Sequence, residues 1–142
     1  MDHVESERRL VMRKDIEIPK VSDVYVAARK TFNEEHLQEE WNVYLINDKE
    51  APLEIVLIVA KGHGDTKKTS TMRHKLDILP AKSFAKIEFI EDSLLVLNNE
   101  FAVTFFVDGT LYERTFIFPA NQIDEKNQVI LPVMGDPGIL AE

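Results

Sequence analysis

Asp108-Gly109 stands between two apolar stretches, Phe101 to Val107 and Thr110 to Phe118. Asp-Gly in that setting is the strongest short-range signal for a β-hairpin, because both central positions of a type I′ turn take positive φ. A two-residue loop also dictates the register. Val107 then faces Thr110, Phe105 faces Tyr112, Val103 faces Arg114 and Phe101 faces Phe116. The shared face carries Phe101, Val103, Phe105, Tyr112, Phe116 and Phe118, and is taken as the core face. Arg114 falls on it too. Either it lies near a rim and snorkels to water, or it reaches inward to an acidic partner or a ligand.

Short β-type runs recur along the rest of the chain. Residues 22–28 and Trp41 to Ile46 are rich in β-branched and aromatic residues, and Asn47-Asp48 follows as a turn. Residues 53–60 are apolar at nearly every position, which predicts a central strand covered on both faces. Residues 69–77 return as its antiparallel partner, and Ala85, Ile87 and Phe89 alternate with Lys86 and Glu88. Thr31 to Glu40 is Glu-rich and predicts one short helix, whereas residues 5–14 have too few apolar residues for a helical stripe. About seven strands at spacings of 8–12 residues point to an all-β, immunoglobulin-like β-sandwich. Its expected core is Val24, Val26, Trp41, Val43, Leu45, Ile55, Leu57, Val59, Ile87, Phe89, Val103, Phe105, Phe116 and Phe118.

The length, 142 residues, suits a single domain over 1–142. Residues 1–15 read as a flexible lead-in, and residues 119–142 as a C-terminal extension docking at a sheet edge. Within that extension Val129 to Met134 is too apolar to leave in water, yet Pro132 bars it from a central ladder. Docking on its own domain is favoured over strand exchange, so monomer and homodimer both remain open. The last few residues are expected to fray.

The chain has no Cys, which excludes a disulfide scaffold, a thiolate metal site and a cysteine nucleophile. Met1 to Arg9 is charged without an apolar core, so no secretory signal is expected, and no apolar run approaches the length of a membrane span. The expected compartment is the cytoplasm. The net charge of −8 disfavours nucleic acid and anionic lipid.

Residues 61–75 break that pattern. They hold five basic groups, Lys61, Lys67, Lys68, Arg73 and Lys75, against Asp65 alone, a balance of +4. The rest of the chain has 12 basic and 24 acidic groups, a balance of −12. With His63 and His74 these residues form the candidate site for an anionic ligand or a protein partner. Thr69, Thr71 and Arg73 would share one strand face, and Ser70, Met72 and His74 the other. A non-enzymatic binding module is the expected function. Its rival is a small metal-dependent enzyme centred on His63, Asp65 and His74, whose spacing matches no metal signature. No catalytic residue, metal or cofactor is assigned, because no nucleophile elbow, Walker loop or dinucleotide fingerprint occurs. The basic stretch lacks an aromatic residue for stacking on bases, a further argument against nucleic acid.

Ile16 to Pro19, Trp41 to Asn47, Lys61 to Gly64, Thr69 to His74 and Phe101 to Phe118 together resemble a family of short bacterial proteins of no established function, mainly from Bacteroidetes. Its members often carry the label phenylalanyl-tRNA synthetase alpha subunit. The resemblance covers residues 16–120 and implies a small stand-alone domain, with no catalytic residue to carry over. Nothing in the chain corresponds to the larger α/β core of a class II synthetase.

Overall fold

The computed structural model describes residues 19–142. The readings of residues 1–15 and 5–14 lie outside them. Among the described residues nine strands follow one another: β1 (Val24–Asn33), β2 (Gln38–Asn47), β3 (Leu53–His63), β4 (Met72–Leu79), β5 (Ser83–Ile90), β6 (Asn98–Val107), β7 (Thr110–Phe118), β8 (Val129–Ile130) and β9 (Pro137–Leu140). They build two antiparallel sheets, ordered β5-β2-β1-β9-β8 and β4-β3-β6-β7. The protein is an all-β sandwich. No helix among the described residues is long and apolar enough to cross a membrane.

The hairpin is the expected one. Val107 pairs with Thr110, Phe105 with Tyr112, Val103 with Arg114 and Phe101 with Phe116. Asp108 and Gly109 have φ of 49° and 78°, the type I′ pattern. Gly109→Val forces a β-branched residue into that region, at an expected cost of about 1–3 kcal/mol. An unchanged melting temperature would contradict it. Arg114 is exposed, its guanidinium 4.5 Å above the Phe116 ring, so it snorkels at the rim.

Phe101, Val103, Phe105, Phe116 and Phe118 point into the sandwich and meet Val24, Val26, Ala28, Trp41, Val43 and Leu45 of the opposite sheet. The Phe101 and Phe118 rings meet edge to face at 5.9 Å. Three of the expected core positions on β3 are inverted. Leu53, Val56, Ile58 and Ala60 are buried, whereas Ile55 is 60% exposed, Leu57 42% exposed and Val59 half-buried. The pairing with β6 slips between Glu54 and Leu57, and Ile55 has φ of 50°. Such a bulge swaps the faces of a strand. With apolar residues at both parities, alternation cannot say which set goes inward. No described element covers the outer face of β3, contrary to the two-sided burial expected for residues 53–60. A second irregularity, opposite Val43/Tyr44, shifts β5. Phe89 is therefore 40% exposed, Ile87 half-buried, and Ile90 takes the core position.

The expected helix at Thr31 to Glu40 is instead the junction of β1 and β2, paired through Thr31↔Glu40 and Asn33↔Gln38. Asn33 Oδ1 accepts from the backbone N–H of Glu35 and His36, and such an Asx turn competes with helix. His36 Nδ1 lies 2.9 Å from Glu40 Oε1, and Asn33 Nδ2 donates to the other carboxylate oxygen at 3.0 Å. The hydrogen bond to Glu40 raises the His36 pKa above its ordinary 6.5, and the same bond lowers Glu40 below 4.5. These are two views of one interaction. Its His36 share is fully present below about pH 6.5 and fades as pH rises through the raised folded value. Its Glu40 share is present above about pH 4.5 and fades as pH falls through the depressed one. Stability should therefore fall as pH rises above about 6.5 and through the raised value of His36, and His36→Gln should flatten that fall in thermal melts. An undiminished slope in the variant would contradict the assignment.

After Phe118 the chain crosses from one sheet to the other. β9 pairs with β1 through Ala27↔Leu140 and Ala28↔Ile139, and Ile139 enters the core. Of the apolar segment 129–134, expected to dock at a sheet edge, only Val129 and Ile130 form a strand, at the outer edge of the sheet, 48% and 68% exposed. Leu131 turns inward onto Ala27 and Ile46. The final residues do not fray: Glu142 and Ile117 exchange two backbone hydrogen bonds of 2.8 and 2.9 Å, tying the sheets together.

Candidate functional site

The β3–β4 hairpin carries the basic island. His63 bridges to Lys68, and Gly62 O accepts from Thr69 N–H at 2.9 Å, closing the loop. Thr69 Oγ1 accepts from Gly62 N–H at 2.6 Å. Gly64 packs so closely on Leu97 that a Cβ there would lie 2.9 Å from Leu97 Cδ2. These contacts hold the loop against the end of β6.

Lys61 stands opposite Glu100, with Nζ 3.2 Å from the carboxylate, and His63 Nε2 lies 3.9 Å from the other oxygen of the same Glu100. His74 Nε2 lies 3.0 Å from Glu88 of β5, so this contact bridges the two sheets at their open edge. Lys67 and Lys68 extend from the exposed loop, while Arg73 and Lys75 stand on the outer face of β4, opposite Val59 and Leu57. None of these four makes an ion pair with another described residue. The candidate residues thus divide. Lys61, His63 and His74 have carboxylates beside them, whereas Lys67, Lys68 and Arg73 present uncompensated charge to solvent.

His63 and His74 do not converge. His74 pairs with Ile58, five residues back along β3 from His63, or about 16 Å at 3.3 Å per residue. Among the described residues no group of three or more His, Cys, Asp or Glu side chains is placed to hold a metal. Between the sheets, next to the hairpin, lies a cleft of about 120 Å³ lined in part by Thr69, Ser70, Glu88 and Asn99. Sites for drug-sized ligands run to about 300–1,000 Å³, so this one admits little beyond water or a small ion. The geometry can attract an anion from solvent, and among the described residues of the hairpin no nucleophile, base and orienting group stand in a row.

Sequence reasoning missed Glu88 and Glu100. Nothing local marks them, because each meets its partner only through strand pairing or across the sandwich. Comparison with protein-family models finds no match to this chain, and comparison with curated proteins finds none either.

Proposed function

We propose that this protein is a non-enzymatic binding module, immunoglobulin-like in architecture, which takes an acidic protein partner or other anionic ligand on its β3–β4 hairpin. The order β5-β2-β1 facing β4-β3-β6-β7 supports the architecture: it is a seven-strand Greek-key arrangement with β8 and β9 added beyond β1. One observation carries the function. Lys67, Lys68 and Arg73 are exposed and lack a carboxylate partner among the described residues, in a chain that is otherwise strongly acidic. Uncompensated exposed charge speeds encounter with an oppositely charged partner and confers salt dependence on it. Nucleic acid fits less well, since no aromatic side chain is interleaved with these cations. A cytoplasmic setting belongs to the same proposal.

The test uses fluorescein-labelled polyglutamate as the acidic probe, with anisotropy read at low salt. Replacing Lys67, Lys68 and Arg73 together by Ala should weaken binding by about tenfold or more and flatten its salt dependence. Equal affinity in the variant, or no binding by the wild type, would overturn the reading.

A further inference from the structure

The outer face of the β4-β3-β6-β7 sheet is built from two unlike halves. On β3, the bulge turns Ile55, Leu57 and Val59 outward as an apolar ridge, and β4 beside it carries Arg73 and Lys75. On the other side, Ala102, Thr104 and Thr115, together with Val103, Glu113 and Arg114, line a shallow depression of about 330 Å³. Strand pairing sets these groups in straight rows across the sheet. One reads Lys75, Leu57, Thr104, Glu113, and the next reads Arg73, Val59, Ala102, Thr115. Each row runs from cation through large apolar and small residue to an acidic or polar group.

We infer that this face associates with a second copy of itself about a two-fold axis parallel to the strands, passing between β3 and β6. That operation lays β4 of one copy over β7 of the other, in the aligned manner of packed sheets. Leu57 and Val59 of each copy then enter the depression over Thr104 and Ala102 of the other. Lys75 of each copy meets Glu113 of the other, twice over. Within one chain Lys75 and Glu113 are three strands apart, about 14 Å, and neither makes an ion pair with another described residue. Among the described residues, then, the pairing is complete only between copies. The match of ridge to depression and of cation to carboxylate favours a second copy over an unrelated partner. Four strands of about seven residues give a footprint of roughly 400 Å² per copy. Specific interfaces bury about 800 Å² per partner, so the dimer is a weak one, with a dissociation constant in the micromolar range. This inference shares Arg73 with the hairpin reading, but Lys67 and Lys68 lie in the loop beyond the face, and its variants at Leu57, Lys75 and Glu113 leave all three hairpin cations in place, so the two tests fail separately.

Sedimentation velocity on the full chain, from about 1 to 500 µM, should show a concentration-dependent dimer. Lys75→Glu and Glu113→Lys, taken singly, should each weaken association by about tenfold, because like charges then meet at the interface. Combined, the two reversals restore the pairing and should return the dissociation constant to within about threefold of wild type. Leu57→Asp should abolish the dimer while the variant still unfolds cooperatively with a melting temperature only a few degrees lower, since Leu57 is 42% exposed in the monomer. Three results would overturn the inference: a monomer at every concentration, a dimer indifferent to the single reversals, or no recovery in the double variant.

Discussion

A chain ending at Gln128 is expected to lose at least about 4 kcal/mol of stability and to aggregate. Leu131 and Ile139 are both 1% exposed, and truncating a buried Leu or Ile even to Ala typically removes about 2–5 kcal/mol. Leu131 covers Ala27 and Ile46 on the outer side of the five-stranded sheet, and Ile139 belongs to the main core. Removing both leaves holes on two sides of β1. The deletion also frees the β1 edge that β9 occupies, a template for pairing with other chains. It further breaks the Arg29–Asp136 ion pair of 2.6 Å and the Glu142–Ile117 backbone bonds that tie the sheets. Whole domains are stable by only about 5–15 kcal/mol, so the loss is a large share of the total. Urea unfolding with a midpoint equal to that of the full chain would show the segment to be dispensable.

Gly138→Ala is expected to cost about 3 kcal/mol through a single added methyl group. A Cβ at 138 would stand 2.6 Å from the backbone oxygen of Ala28 and 2.6 Å from Leu131 Cδ1. The oxygen belongs to a paired central strand and cannot swing aside, and Leu131 is already buried. β9 must then withdraw from β1, thinning the contact that holds Ile139 and Leu131 in place. Overpacking of this kind typically costs about 1–3 kcal/mol, and a clash with backbone belongs at the upper end. Thermal unfolding reads the effect. A variant as stable as wild type would mean that β9 does not lie this close to β1.

Where local chemistry is decisive, the residues announced the structure before any contact was known. Asp108-Gly109 sets its own backbone angles, and from that turn every pairing of β6 with β7 follows. The β-rich patterning and the scarcity of helical stripes led to a sandwich for the same reason, since period and propensity are local properties. The basic island was legible as composition. How its members divide was not, because Glu88 and Glu100 reach His74, Lys61 and His63 only through strand pairing and across the sheets.

By itself, then, the sequence determined the all-β class, the β6–β7 register, most of the inward face on β1, β2, β6 and β7, and the excess of positive charge in residues 61–75. The tertiary structure alone decided which face of β3 is buried, because residues 53–60 are apolar at both parities and a bulge at Ile55 chose between them. It also decided that residues 34–37 turn and do not form a helix: pairing β1 with β2 aligns ten residues of each strand in one continuous ladder, which outweighs a helical propensity confined to a few Glu. Finally, it placed the C-terminal segment. Gly138, Ile139 and Leu131 look unremarkable in order, and only the open flank of β1 gives them a surface to close.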